Sequence, residues 1–78
     1  MRGALWILLA GALLAAAQAD PAALFGRAEQ LRTDPRTRRQ AADLYREAAA
    51  AFQAAGDASR EARSRFRLGQ MLELLADY

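Results

Sequence analysis

The chain has 78 residues with 11 basic residues, all of them arginine, nine carboxylates and a formal charge of +2, and it has no cysteine and no histidine. Without thiol or imidazole, disulfides, thiolate metal sites and the commonest nucleophile and base chemistries are excluded, and so small a charge carries no electrostatic footprint for nucleic acid. Valine is absent and isoleucine occurs once, so β-branched residues are nearly missing and the expected fold class is all-α.

Residues 1–19 read as an apolar secretory signal helix. Arg2 and the free amine supply the positive start, Leu5 to Leu14 the apolar centre, and Ala17 and Ala19 the small residues at a signal-peptidase site, so cleavage is expected before Asp20. The alternative is an uncleaved anchor: the uncharged run from Gly3 to Ala19 sits at the short limit of the about 17–25 residues a spanning helix needs, and Gln18 weakens it. A lipid anchor at the cleavage point is excluded, because it needs a cysteine.

Residues 20–78 form the expected helical domain. Asp20 is placed to cap a short helix over residues 22–32, with Pro21 at its first position and Leu24, Ala28 and Leu31 as its stripe, Phe25 alongside. Thr33-Asp34-Pro35 breaks that helix; Asp34 is then expected to cap, and Pro35 to open, a long helix over residues 35–55. Its stripe is Leu44, Ala48, Phe52 and Ala55, flanked by Ala41 and Tyr45, with Asp43, Arg46, Glu47 and Gln53 opposite. Gly56 ends the long helix and Asp57 caps a third over residues 58–77. There, Ala62, Phe66, Gly69 and Met71-Leu72 are expected on one side, with Leu68 and Leu75 beside them. Two apolar stripes joined by so short a break fold back antiparallel.

At these residues the chain resembles the tetratricopeptide repeats in their longer-helix variety. The residues that carry the resemblance are Ala41, Leu44-Tyr45, Ala48, Gly56-Asp57, Ala62, Leu68-Gly69, Leu72 and Ala76-Asp77-Tyr78, about half of the chain. Leu72 stands where an aromatic is usual and Ala76 replaces the turn glycine. The resemblance implies antiparallel helical hairpins of α-solenoid type, about one and a half repeats. Residues 22–32 would be a degenerate terminal helix, in which Ala28-Glu29 replaces Leu-Gly. It further implies a concave surface, lined by the first helix of each repeat, that holds a peptide or a partner helix. Arg65, Gln70 and Glu73 would lie on that surface.

Searching for chemistry gives no catalytic residue, no cofactor site and no metal site. Asp43 and Glu47 lie one helical turn apart, but they read as a solvated face with Arg39 and Arg46 rather than an acid–base pair. Two arginine clusters, Arg36, Arg38 and Arg39 in one and Arg60, Arg63, Arg65 and Arg67 in the other, either bind an anionic partner or are solvated and balanced by neighbouring acids, with Glu61 spaced to pair with Arg65. The second cluster sits near a helix start, where cations oppose the helix dipole.

The expected function is a non-catalytic scaffold for a protein or peptide partner, exported to the periplasm or secreted, with no nucleic-acid partner and membrane contact only through the signal segment before its cleavage. If residues 3–19 stay uncleaved, the protein is anchored in the inner membrane. Two other readings stand beside the scaffold. The chain is the recruiting head of a larger exported enzyme extending past Tyr78, or it is a small membrane-associated helical protein. Acids spread through both long helices oppose the last. Because repeat arrays need about three units for stability, the chain is expected to be the start of a longer array, the alternative being a last helix covered by self-association.

Overall fold

The computed structural model describes residues 20–77, which form three α-helices and, among the described residues, no strand. The signal reading, with its cleavage residues Ala17 and Ala19, lies outside them. Asp20 accepts a hydrogen bond from the Ala23 N–H at 3.2 Å and Pro21 follows it, so α1 (Pro21–Leu31) opens as its capping residues dictate.

The second helix starts later than proline placement suggests. α2 runs Arg38–Ala54, not from Pro35. The Asp34 carboxylate caps no helix: it accepts from the Arg36 N–H at 2.9 Å and from the Arg36 guanidinium, while the Thr37 N–H bonds the Asp34 carbonyl at 3.0 Å. These bonds close a tight turn with Pro35 at its second position, where a fixed φ suits it. Thr37 occupies the α2 N-cap without a side-chain capping bond, and its hydroxyl donates to the Leu31 carbonyl at 2.7 Å. That hydroxyl satisfies a carbonyl at the end of α1 and ties the two helices together.

Between α2 and α3 (Ala58–Ala76) the chain turns as expected. Gly56 has φ +74°, the Asp57 N–H bonds the Phe52 carbonyl at 2.9 Å, and the Gly56 N–H bonds the Gln53 carbonyl at 3.0 Å. This is the paired closure of a left-handed helix C-terminus. Asp57 then accepts from the Arg60 N–H at 3.1 Å and starts α3. A Cβ at Gly56 would meet nothing within 4 Å, so only the backbone conformation opposes a side chain there. Gly56→Ala is therefore expected to destabilise the fold by about 1–2 kcal/mol, read as a lower urea midpoint; an unchanged midpoint would contradict the strain argument.

α2 is the central element: α1 and α3 both pack on it, and their own backbones scarcely approach each other. It buries Ala41, Ala42, Tyr45, Ala48, Ala49 and Phe52, whereas Ala55, expected on that stripe, is exposed beside the turn. The innermost cluster is Ala28, Ala41, Ala42, Tyr45 and Met71, surrounded by Phe25, Leu31, Leu44, Leu68, Leu74 and Leu75. Small alanines let helix backbones come close, and among the described residues Tyr45 is the one large side chain buried completely.

The third helix meets its expected facing only in part: Met71, Leu68 and Leu75 face the core, but the other residues of the expected stripe do not. Its inner face carries Ser64, Leu68, Met71 and Leu75, with Ser64 fully buried. Ala62, Phe66, Gly69 and Leu72 are exposed. Ser64 is tolerated inside because its hydroxyl donates to the Arg60 carbonyl at 2.9 Å, leaving no unmatched group.

Candidate interaction surface

A polar node joins the three helices. Glu29 of α1 receives the Tyr45 hydroxyl of α2 and the Arg67 guanidinium of α3, the latter at 3.0 Å, with Arg32 at 3.5 Å on its other oxygen. Arg67 also donates to Gln70 at 3.0 Å. The Tyr45 ring meets Phe25 edge-on at 5.5 Å, and the Arg63 guanidinium lies 5.6 Å from the Phe25 ring centre. Nothing in the helical pattern announces this node, since Glu29 and Arg67 are distant in sequence and each reads as a surface charge. The one hint is a tyrosine inside an alanine stripe, because a buried phenol needs a partner.

Burial, reinforced by the hydrogen bond to Glu29 and its charge, pushes the Tyr45 hydroxyl above its ordinary value of 10.0. The folded state thus prefers the neutral phenol. The resulting stability is fully present below pH 10 and is lost as pH climbs beyond it, toward the raised folded value. The urea midpoint is expected to fall between pH 10 and 11.5 in the parent chain and to fall much less in Tyr45→Phe; equal falls would sink this assignment. Asp34 is displaced the other way, its carboxyl held below the usual range by the hydrogen bonds from Arg36.

The arginines near the start of α3 are engaged within the chain. Arg60 approaches Asp57 at 3.6 Å and stands 6.0 Å over the Phe52 ring; Arg65 pairs with Glu61 at 2.9 Å. Arg63 and Arg67 serve Phe25 and Glu29, as described. With Ala22, Phe25 and Phe52, Arg60 and Arg63 line a shallow groove of about 190 Å³. These contacts account for cations that oppose the helix dipole and favour the balanced reading over an anion site. In the other cluster Arg36 pairs with Asp34 at 3.2 Å. Asp43 is bound by Arg46, also at 3.2 Å, and Asp43 and Glu47 are both exposed on α2.

The three residues expected on a partner surface separate. Gln70 is half-buried and turned to Arg67, into the polar node. Arg65 and Glu73 stay exposed and stand on either side of Gly69 on the outer face of α3. That face also presents Ala62, Phe66, Leu72 and Ala76; Phe66 is 65% and Leu72 45% exposed. Residues 62, 66, 69, 72 and 76 recur at three- and four-residue spacing, a second apolar stripe nearly opposite the first.

Gly69 sits in the middle of this stripe without a local reason. Its φ is negative, and a Cβ there would meet nothing within 4 Å. A helix-interior glycine costs about 0.5–1 kcal/mol relative to alanine, and no close approach within the described residues offsets it.

Among the described residues no cluster of three or more acidic, histidine or cysteine side chains could hold a metal ion, and no helix is long and apolar enough to cross a membrane. The chain matches no family model, no curated protein and no solved structure.

Proposed function

We propose that the chain is a non-catalytic scaffold of tetratricopeptide type that holds a protein or peptide partner outside the cytoplasm. The observation that carries this reading is the double-faced third helix. A helix at the edge of a bundle normally shows water a polar face. Here α3 packs Leu68 and Met71 inward and still presents Phe66 and Leu72 outward. Helices of stacked repeats have this two-sided character, since each is covered by a neighbour on both sides. The order of short helix, long helix, glycine-aspartate turn and long helix agrees with the sequence resemblance. Export rests on the charge and apolar pattern of residues 1–19.

The test is site-specific photo-crosslinking in cells that express the full chain, with a benzophenone amino acid at position 66 or, as control, at the exposed Gln53 of α2. A discrete protein adduct confined to position 66 supports the scaffold reading. Absence of an adduct, or the same adducts at both positions, removes it. The mass of the same recovered chain reads export, because a processed protein begins at Asp20.

A further inference from the structure

We propose that the outer face of α3 pairs with the same face of a second copy of this chain, antiparallel and centred on Gly69; the proposal rests on that face being an interaction surface and names its partner. Opposite charges flank Gly69 on this face: Arg65 four residues before it and Glu73 four residues after it, both exposed. Glu61 and Asp77, eight residues to either side, lie at its edges, and Glu61 is paired with Arg65 at 2.9 Å. Among the described residues Glu73 forms no ion pair.

A two-fold axis at Gly69 sets each residue level with the one equally far beyond Gly69 on the other helix. Arg65, four residues before, then meets the partner's Glu73, four residues after. Phe66 shares a layer with the partner's Leu72, and Ala62 with the partner's Ala76. Gly69 faces the partner's Gly69, where the missing side chains let the two backbones approach. One surface therefore supplies both halves of the Arg65–Glu73, Phe66–Leu72 and Ala62–Ala76 layers, as a two-fold interface requires. A parallel pairing would stack Arg65 on the partner's Arg65 and Glu73 on the partner's Glu73, so charge selects the antiparallel direction. The exposed guanidinium nitrogens of Arg65 can take the second carboxylate while its Nε stays on Glu61. The stripe from Ala62 to Ala76 is only about 21 Å long at 1.5 Å per residue, so the dimer belongs to the small, concentration-dependent class of interfaces.

The test is analytical ultracentrifugation of the full chain over a concentration series, with Arg65→Glu and Glu73→Arg alone and mixed. The parent chain is expected to dimerise reversibly. Each single reversal sets two like-charge contacts across the interface and is expected to raise Kd about tenfold or more. An equimolar mixture of the two variants restores opposite charges at both contacts and is expected to recover the dimer. Because the chain has no cysteine, Gly69→Cys adds an independent readout and is expected to form a self-disulfide under mild oxidation. A chain that stays monomeric with a foreign-protein adduct at position 66 overturns self-pairing and leaves the scaffold reading standing. A monomer with no adduct overturns both. A dimer indifferent to the charge reversals, or one that the mixture does not recover, overturns the antiparallel arrangement.

Discussion

Tyr45→Ala is expected to unfold the three-helix arrangement. Tyr45 is fully buried at the centre of α2, packs edge-on against Phe25 and donates its hydroxyl to Glu29. Truncating a buried aromatic to alanine costs about 3–5 kcal/mol, through lost burial and the cavity left behind. The node adds to this, since Glu29 loses a donor while Arg67 stays half-buried beside it. A domain this small has a total stability near the lower end of about 5–15 kcal/mol, so the loss is comparable with the whole. The helical circular dichroism signal should largely vanish at 25 °C. Tyr45→Phe removes only the hydrogen bond to the Glu29 carboxylate, at about 1.5–3 kcal/mol, and should remain helical. If Tyr45→Ala retained the parent's helical signal and urea midpoint, the central role of this residue would be wrong.

The second large effect separates two neighbours of similar size. Met71→Ala is expected to cost about 2–5 kcal/mol, because Met71 is 2% exposed within the innermost cluster. Leu72→Ala, next to it on the outer face, should change monomer stability by no more than about 0.5 kcal/mol. Urea titration at low protein concentration, where self-pairing is absent, is the measurement. A larger loss for Leu72→Ala than for Met71→Ala would mean that α3 faces the other way and that no apolar face is left outside.

Much of the local structure was legible in the residues. Asp20 with Pro21, Gly56 and Asp57 act within four residues of themselves, so their roles as start, stop and start follow from backbone hydrogen-bonding needs alone. The expected start of α2 went astray at Asp34 and Thr37, where local chemistry offered alternatives. Asp34 could cap a helix or close a turn, and the Thr37 hydroxyl could accept from α2 or donate to α1. The end of α1 made the choice, because the carbonyl of Leu31 lies within reach of Thr37 only once the two helices are in place.

The surface residues divide in the same way. Arg65 and Glu73 could be placed outside the core by helical spacing, and they are exposed. Gln70 could not, because its partner Arg67 is drawn inward by Glu29, a residue of another helix.

What the sequence determined by itself is the class and the punctuation of the described residues: all-α, with three helical segments broken near Asp34 and at Gly56. Those properties come from propensity and capping, which act over a few residues. What only the tertiary structure decided is the facing of α3 and the joining of Glu29, Tyr45 and Arg67. Periodicity fixes the angles between residues on a helix, but not the direction of its neighbour. α3 has two stripes, one with Phe66 and Leu72 and one with Leu68, Met71 and Leu75, and composition does not choose between them. The short turn at Gly56 and the packing of Leu68 and Met71 against α2 turn the second stripe inward. Ser64 can follow because its hydroxyl is satisfied on its own helix, and Arg67 because Glu29 meets it from across the bundle.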